Sequence, residues 1–384
     1  MKSLCIFFIL LGTTLHGYAG VGNLPEYVEF LRPQKTAKEY ILSLFERYDI
    51  VVLCERDHAE MTQYELIREL IGDPRFARDC GNIFIETCAE NYKSRFDSLL
   101  LAEGLPDSSV RRKAMAIQRD MSFWPLWSCS SVIPFITDVY RQNQQLDSAS
   151  KIRIYPIDRT FDWHRIETAA QIDEFDSTEV RRDSAMAANT VRYLPAVFAR
   201  GKKALVIENN VHAFRKEPGN YLDHLSRMIR RPVANVFIHC LASTDSWHDG
   251  TYGLIREGRW DAAFNAAGRD FGFDLAGSPF GADPFDLVTD IPNPYDYADI
   301  FTGMVYYKPV TEFVWSWGIP GVLSDGFDAE LKRRYEMFGN PISLKEIRKM
   351  YKRADVETYR QYYPSYKRTI KKILRESGIR RKPE

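Results

Sequence analysis

The sequence predicts an α/β fold: a mostly parallel sheet with helices on both faces, plus a helical insertion. Three observations carry that prediction. Short apolar runs such as Val51-Val52-Leu53-Cys54 read as strands buried on both faces. Segments of helical periodicity separate these runs. Each run ends abruptly in polar residues: Glu55, Glu86, Asp158, and Glu208-Asn209-Asn210. In open α/β sheets, ligands bind outside the carboxyl ends of the strands.

The elements follow in order. Lys2, the apolar run Leu4 to Leu11, and the small residues Gly17 and Ala19 read as a signal peptide over 1–19. Cleavage after Ala19 would leave 20–384 as one α/β domain, secreted or periplasmic. No other segment is long and apolar enough to span a membrane. Residues 35–48 carry Ile41, Leu42, Leu44 and Phe45 at helical spacing. Strand one covers 49–55. A helix bearing Tyr64, Leu66, Ile67 and Leu70 stops at Gly72-Asp73-Pro74. Strand two covers 82–86. Residues 89–146 show only helical periodicity, broken near Pro106 and Pro125, and read as an insertion that roofs the strand ends.

Strand three covers 151–157. A long helix is expected from Ser177 or Thr178 to about Ala199, ended by Gly201. Strand four covers 203–208. A helix from Tyr221 to Ile229 leads to strand five, Val233 to Ile238. Residues 268–300 are rich in Gly, Pro and Asp and read as an extended loop system. Thr302 to Tyr307 reads as a last strand. A basic, Tyr-rich helix is expected over about 345–384.

Several chemistries are set aside. The formal net charge is zero, so bulk charge gives no argument for a nucleic acid partner. There is no Gly-x-Ser-x-Gly elbow, phosphate loop, dinucleotide fingerprint or His-Glu-x-x-His. Signal removal leaves Cys54, Cys80, Cys88, Cys129 and Cys240, whose spacings match no zinc pattern. Cys88, close to Glu86, is the one candidate for pairing or reactivity.

What remains is carboxylate and imidazole at strand ends. Cys54-Glu55-Arg56-Asp57-His58-Ala59, Phe84-Ile85-Glu86, and Tyr155-Pro156-Ile157-Asp158 follow strands. Arg182-Asp183-Ser184-Ala185-Met186-Ala187-Ala188-Asn189 lies on a helix, and Asn209-Asn210-Val211-His212 follows strand four. In order and spacing these resemble the erythromycin esterase-like superfamily over about 35–240. The chain is more distantly similar to ChaN-like haem-binding lipoproteins and TraB/Tiki proteins. The family's glycines flanking the Glu-x-x-His motif are replaced here by Cys54 and Ala59, and its first strand-four histidine by Asn209.

The residues and the resemblance together imply a water-activating hydrolase of esters, lactones or amides. Glu55, His58, Glu86 and His212 are the candidate catalytic residues. His58 is read as general base. Glu55 and Glu86 would hold its tautomer. His212, with Asn210, would face the oxyanion or protonate the leaving group. Asp158, Arg182, Asp183 and Asn210 are read as substrate-binding or supporting residues. The aromatic-rich second half is expected to line a pocket for a small molecule. No cofactor is called for. Two alternatives use the same rim. The TraB/Tiki likeness implies a metal-dependent peptidase, and two glutamates with two histidines suit a divalent ion. The ChaN likeness implies a non-catalytic haem or small-ligand binder.

Overall fold

The computed structural model describes residues 24–244, 251–288 and 294–379. The signal segment, Cys5, His248 and the basic run at 380–382 lie outside them.

Seven strands form the main sheet: β1 (Ile50–Glu55), β2 (Asn82–Ala89), β3 (Arg153–Asp158), β4 (Ala204–Asn209), β5 (Val233–Ile238), β6 (Phe271–Asp274) and β7 (Gly303–Tyr306). Their spatial order is β3-β2-β4-β1-β5-β7-β6. The first six in that order run parallel; β6 pairs with β7 antiparallel. Alternation along each strand feeds two cores. Val51, Leu53, Ile83, Ile85, Leu205 and Ile207 pack on one face, against helices Ala37–Leu44 and Thr62–Ile71. Val52, Cys54, Phe84 and Val206 pack on the other, against helices Arg182–Phe198 and Tyr221–Met228. All six β1 residues are buried, as a central strand with helices on both faces requires. Pro156 cannot donate to a ladder, and β3 is an edge strand, where that omission is tolerated.

The insertion holds helices Lys93–Leu100, Asp107–Asp120 and Val132–Asn143. Its irregular stretch, 121–131, hangs over the carboxyl ends of the strands. Arg334 fixes that stretch from below. It is buried, bonds Asp120 Oδ1 at 2.6 Å, and donates to the carbonyl of Pro125 at 3.3 Å.

Two expectations change, and one helix was not expected. The 268–300 region contains β6, a four-residue strand that sequence patterning missed. Gly272 and Gly303, on the neighbouring strands, let Tyr40 lie directly on β6 and β7; a Cβ at Gly303 would fall 1.8 Å from the Tyr40 hydroxyl. That close approach explains why the strand lacks the usual β-branched run. An unexpected helix at Ala169–Asp176 precedes the one expected from Ser177 or Thr178 to Ala199, which is present as a 3-10 turn at Glu179–Arg181 running directly into the helix Arg182–Phe198. A capping box between Thr168 and Gln171 starts the first of these. The basic C-terminal helix is broken. After helix Leu344–Met350 comes strand β9 (Asp355–Thr358), antiparallel to β8 (Val314–Trp317), and then helix Tyr366–Glu376. The β-branched Val356 and Thr358, followed by Pro364, break the helical run.

Candidate active site

Four strands adjacent in space, β3-β2-β4-β1, deliver their carboxyl-terminal residues to one cleft. Glu55 closes β1, Asp158 closes β3, and His212 lies in a 3-10 turn, Asn210–Ala213, after β4. Glu86 sits where β2 slips its register against β3, between Ile85 and Ala89. Such an irregularity re-aims a side chain at a strand end.

The structure brings Glu55, His58, Glu86 and His212 together. His58 Nδ1 lies 2.7 Å from Glu55 Oε2, and Tyr64 donates its hydroxyl to Glu55 Oε1 at 2.6 Å. His58 Nε2 is 3.6 Å from Glu86 Oε1, beyond hydrogen-bond reach. That same Glu86 oxygen lies 3.3 Å from His212 Nε2 and accepts from Arg182 at 3.1 Å. Glu86 Oε2 accepts the backbone N–H of Asn209 at 2.6 Å. His212 Nδ1 lies 2.7 Å from Asp183 Oδ1, and Arg182 Nε reaches both oxygens of Asp158. Thus Glu86 is a buried anion bracketed by three cationic side chains.

Burial alone would depress the His58 imidazole, but the carboxylates of Glu86 and Glu55 override it and raise its pKa to about 9. Burial opposes the His212 cation as well; Glu86 and Asp183 carry it well above the ordinary range. Burial would raise Glu86, yet His212, His58 and Arg182 hold it well below. Stability should therefore depend on pH from both sides. A raised His58 pKa stabilises the fold fully below its ordinary value of 6.5, and that contribution disappears as pH rises through about 9. The depressed Glu86 pKa stabilises above 4.5, and that contribution disappears as pH falls through its folded value. Thermal unfolding should be most resistant between these limits. A melting temperature still rising from neutral pH to pH 9 would contradict the assignment.

The cleft opens into a pocket of about 380 Å³. Its floor includes His58, Glu86, Asp158, Arg182, Asn209 and His212; its walls include Phe123, Trp124, Leu126, Trp127 and Trp317. Trp127 meets the His58 ring edge-on, with centroids 4.9 Å apart. The aromatic wall comes mainly from the insertion, not from the second half of the chain, which contributes Trp317. The Phe123-Trp124-Pro125-Leu126-Trp127 cluster at a helix break was the sequence signal for it. Tyr64 had no comparable signal.

Two other expectations are corrected. Asn210 is fully buried and does not line the pocket; its amide points back to the Glu55 carbonyl at 3.4 Å. The neighbouring Asn209 faces the pocket instead, because the turn after β4 begins there and the Asn209 side chain caps it. Cys88 is free and buried, and burial pushes its thiol well above the usual range, the opposite of a reactive cysteine. All five described cysteines are free and buried. Arg56 pairs with Glu60 at 2.8 Å and stacks on Phe313, away from the cleft. Arg182 lines the pocket rather than only supporting it, whereas Asp183 supports His212 from behind.

No protein-family model matches the chain, and no curated protein matches it. Solved structures do. A Bacillus cereus protein matches at a TM-score of 0.50 and 11% identity, over 76% of this chain and 98% of its own. A succinoglycan biosynthesis protein matches at 0.47 and 9% identity, over 76% of this chain and 98% of its own. An erythromycin esterase mutant in its open conformation matches at 0.45 and 15% identity, over 72% of this chain and 95% of its own. At these identities the relationship is one of fold.

Proposed function

We propose that this cleft hydrolyses a small ester, lactone or amide by activating water. The observation that carries the reading is His58, held by Glu55 at Nδ1 with its Nε2 unbonded, at the floor of an aromatic-walled pocket. Neutral His58 would take a proton from water at Nε2 while Glu55 fixes the Nδ1–H tautomer. Arg182 and the His212 cation would face the developing oxyanion, and His212 would protonate the leaving group. Asp183 holds the His212 ring for that task. Among the described residues, no pocket-lining serine or cysteine hydrogen-bonds a carboxylate or imidazole side chain, which favours water over a side chain as the nucleophile.

The raised pKa gives the reading a sharp test. A base must be deprotonated to act, so kcat/KM for an aryl ester should rise with pH and inflect near 9. A profile that is flat or falls over this range would remove His58 as base.

A metal-dependent reaction is the second reading, favoured by one geometric fact. One donor atom each from Glu55, His58 and Glu86 lie within 4.8 Å of one another. Elemental analysis of the purified protein, with hydrolysis measured before and after chelation, separates the two. Stoichiometric metal and chelator-sensitive turnover would establish the second reading. Were haem bound here, His58 Nε2 would be the cleft nitrogen to hold it, since Asp183, Glu86 and Arg182 engage the His212 ring nitrogens. A visible spectrum of the purified protein tests that alternative. Export to the periplasm or medium rests on the segment before Ala19; N-terminal sequencing of exported protein should begin at Gly20.

A further inference from the structure

The pocket sorts its charges along its length. Four carboxylates line it: Asp57, Glu86, Asp158 and Glu179. Three of them face cations. Glu86 lies 3.1 Å from Arg182 and 3.3 Å from His212, Asp158 lies 3.1 Å from Arg182, and Glu179 pairs with Arg159. Asp57 has no ion-pair partner among the described residues. Its neighbour Arg56 is buried and turned away, bonded to Glu60 and stacked on Phe313. The Asp57 turn is itself well fixed. Its carbonyl accepts from the Gln63 side chain at 2.6 Å, and its Oδ1 accepts the Ala59 N–H at 2.7 Å. Among the described residues nothing donates to Oδ2, and the side chain is partly exposed where it lines the pocket.

Backbone pairing sets aromatic faces beside this carboxylate. Strand β8 is joined to the Asp57 turn on one side and to the insertion on the other. The Ser316 N–H donates to the Ala59 carbonyl at 2.9 Å, and the Gly318 N–H donates to the Ser128 carbonyl at 2.7 Å. Trp317 of β8 and Trp127 of the insertion thus line the same end of the pocket as Asp57. Other aromatic faces around the site carry guanidinium groups. Arg56 lies over Phe313, Arg334 over Trp163 and Arg159 over Phe123, at 3.9, 4.7 and 5.7 Å from the ring centroids. Among the described residues no Lys or Arg lies over Trp127 or Trp317. The cleft strands run in the order β3-β2-β4-β1. Arg182 serves the β3 end through Asp158, whereas the β1 end presents a carboxylate and two indoles with no cation of its own.

We propose that the β1 end is a subsite for an ammonium group, so that the pocket takes an ester, lactone or amide carrying an organic cation. Indole faces attract such a cation through the ring quadrupole, and the unpaired carboxylate adds its charge. A metal ion finds a single carboxylate here, where calcium takes roughly six or more oxygen ligands. An anionic substituent at this end would meet Asp57. The inference rests on the hydrolase reading for the reacting group alone, because occupancy of the subsite is measured without turnover. A cation preference with no ester hydrolysed would remove the hydrolase reading alone. Hydrolysis of neutral esters with no cation preference would remove this one alone.

The test is titration of the full chain with choline and with neohexyl alcohol, its uncharged carbon isostere. Tryptophan fluorescence reports occupancy, since Trp124, Trp127 and Trp317 line the pocket. Choline should bind on the order of tenfold tighter than the alcohol. The same preference should appear in kcat/KM for acetylcholine over neohexyl acetate. Asp57→Asn keeps an acceptor for the Ala59 N–H, so the turn should persist, which a melting curve checks, and most of the preference should be lost. Trp317→Leu keeps the wall apolar but removes a π face, and should cut the preference about threefold or more. If Asp57→Asn does not fold, the preference of the parent and its reduction in Trp317→Leu decide the matter. No choline binding, equal affinity for choline and the alcohol, or tighter binding of the anionic isostere tert-butylacetate would overturn the proposal. So would a preference that survives both substitutions in folded protein.

Discussion

His58→Gln should lower kcat by about 10²–10⁴-fold, the usual contribution of a positioned general base. Glutamine can still donate to Glu55, so the buried Glu55 carboxylate keeps a partner besides Tyr64. The substitution therefore tests the chemistry more cleanly than alanine, which leaves Glu55 one donor short. Glu86 retains His212 and Arg182 in either variant. The melting temperature should fall modestly, well short of a core truncation, and the inflection near pH 9 should vanish from the residual rate. Hydrolysis measured across that pH range, beside thermal unfolding, decides the matter. Activity within a few-fold of the parent would make His58 a structural partner of two carboxylates and nothing more.

Much of this arrangement was legible because it lies in local pattern. Apolar runs such as those that end in Glu55, Glu86 and Asp158 mark strands whatever the tertiary fold, and the five expected before residue 240 all lie in the parallel part of the sheet. The cleft assembles because β3, β2, β4 and β1 are neighbours in space, which sequence order does not reveal. Strand β6 stayed hidden since its four residues owe their conformation to Tyr40 packing across Gly272 and Gly303. Strand β9 was masked by basic residues of high helix propensity; pairing with β8 overrides that preference. Asn210 and Asn209 illustrate a finer limit. Adjacent residues at a strand end point to opposite sides, so the motif could be placed while the side facing the pocket could not. The protonation state of His58 was equally out of reach. A lone imidazole titrates near neutrality, and only the distances to Glu55 and Glu86 show why this one does not.

Glu86→Gln should be the most damaging single change, for stability and activity together. From sequence alone the expectation is an intact fold, since site residues are seldom optimised for stability. Burial alters that expectation. Glu86 is 2% exposed and neutralises His58, His212 and Arg182 in a place where water cannot substitute. Breaking a buried ion pair by neutralising one partner costs on the order of 3–5 kcal/mol. Glutamine cannot satisfy both sides either. Its carbonyl can accept from Asn209 or face the cations, and its amide then meets donors on the other side. Hydrolysis should fall about 10²-fold or more as Arg182 and His212 lose their anchor. Loss of the largest raising influence on His58 should also move the residual rate's inflection below 9. The shift separates a positioning role from simple unfolding, because partial unfolding lowers the rate at every pH without moving the inflection. An inflection that stays at 9 in a folded variant would mean that Glu86 does not govern His58.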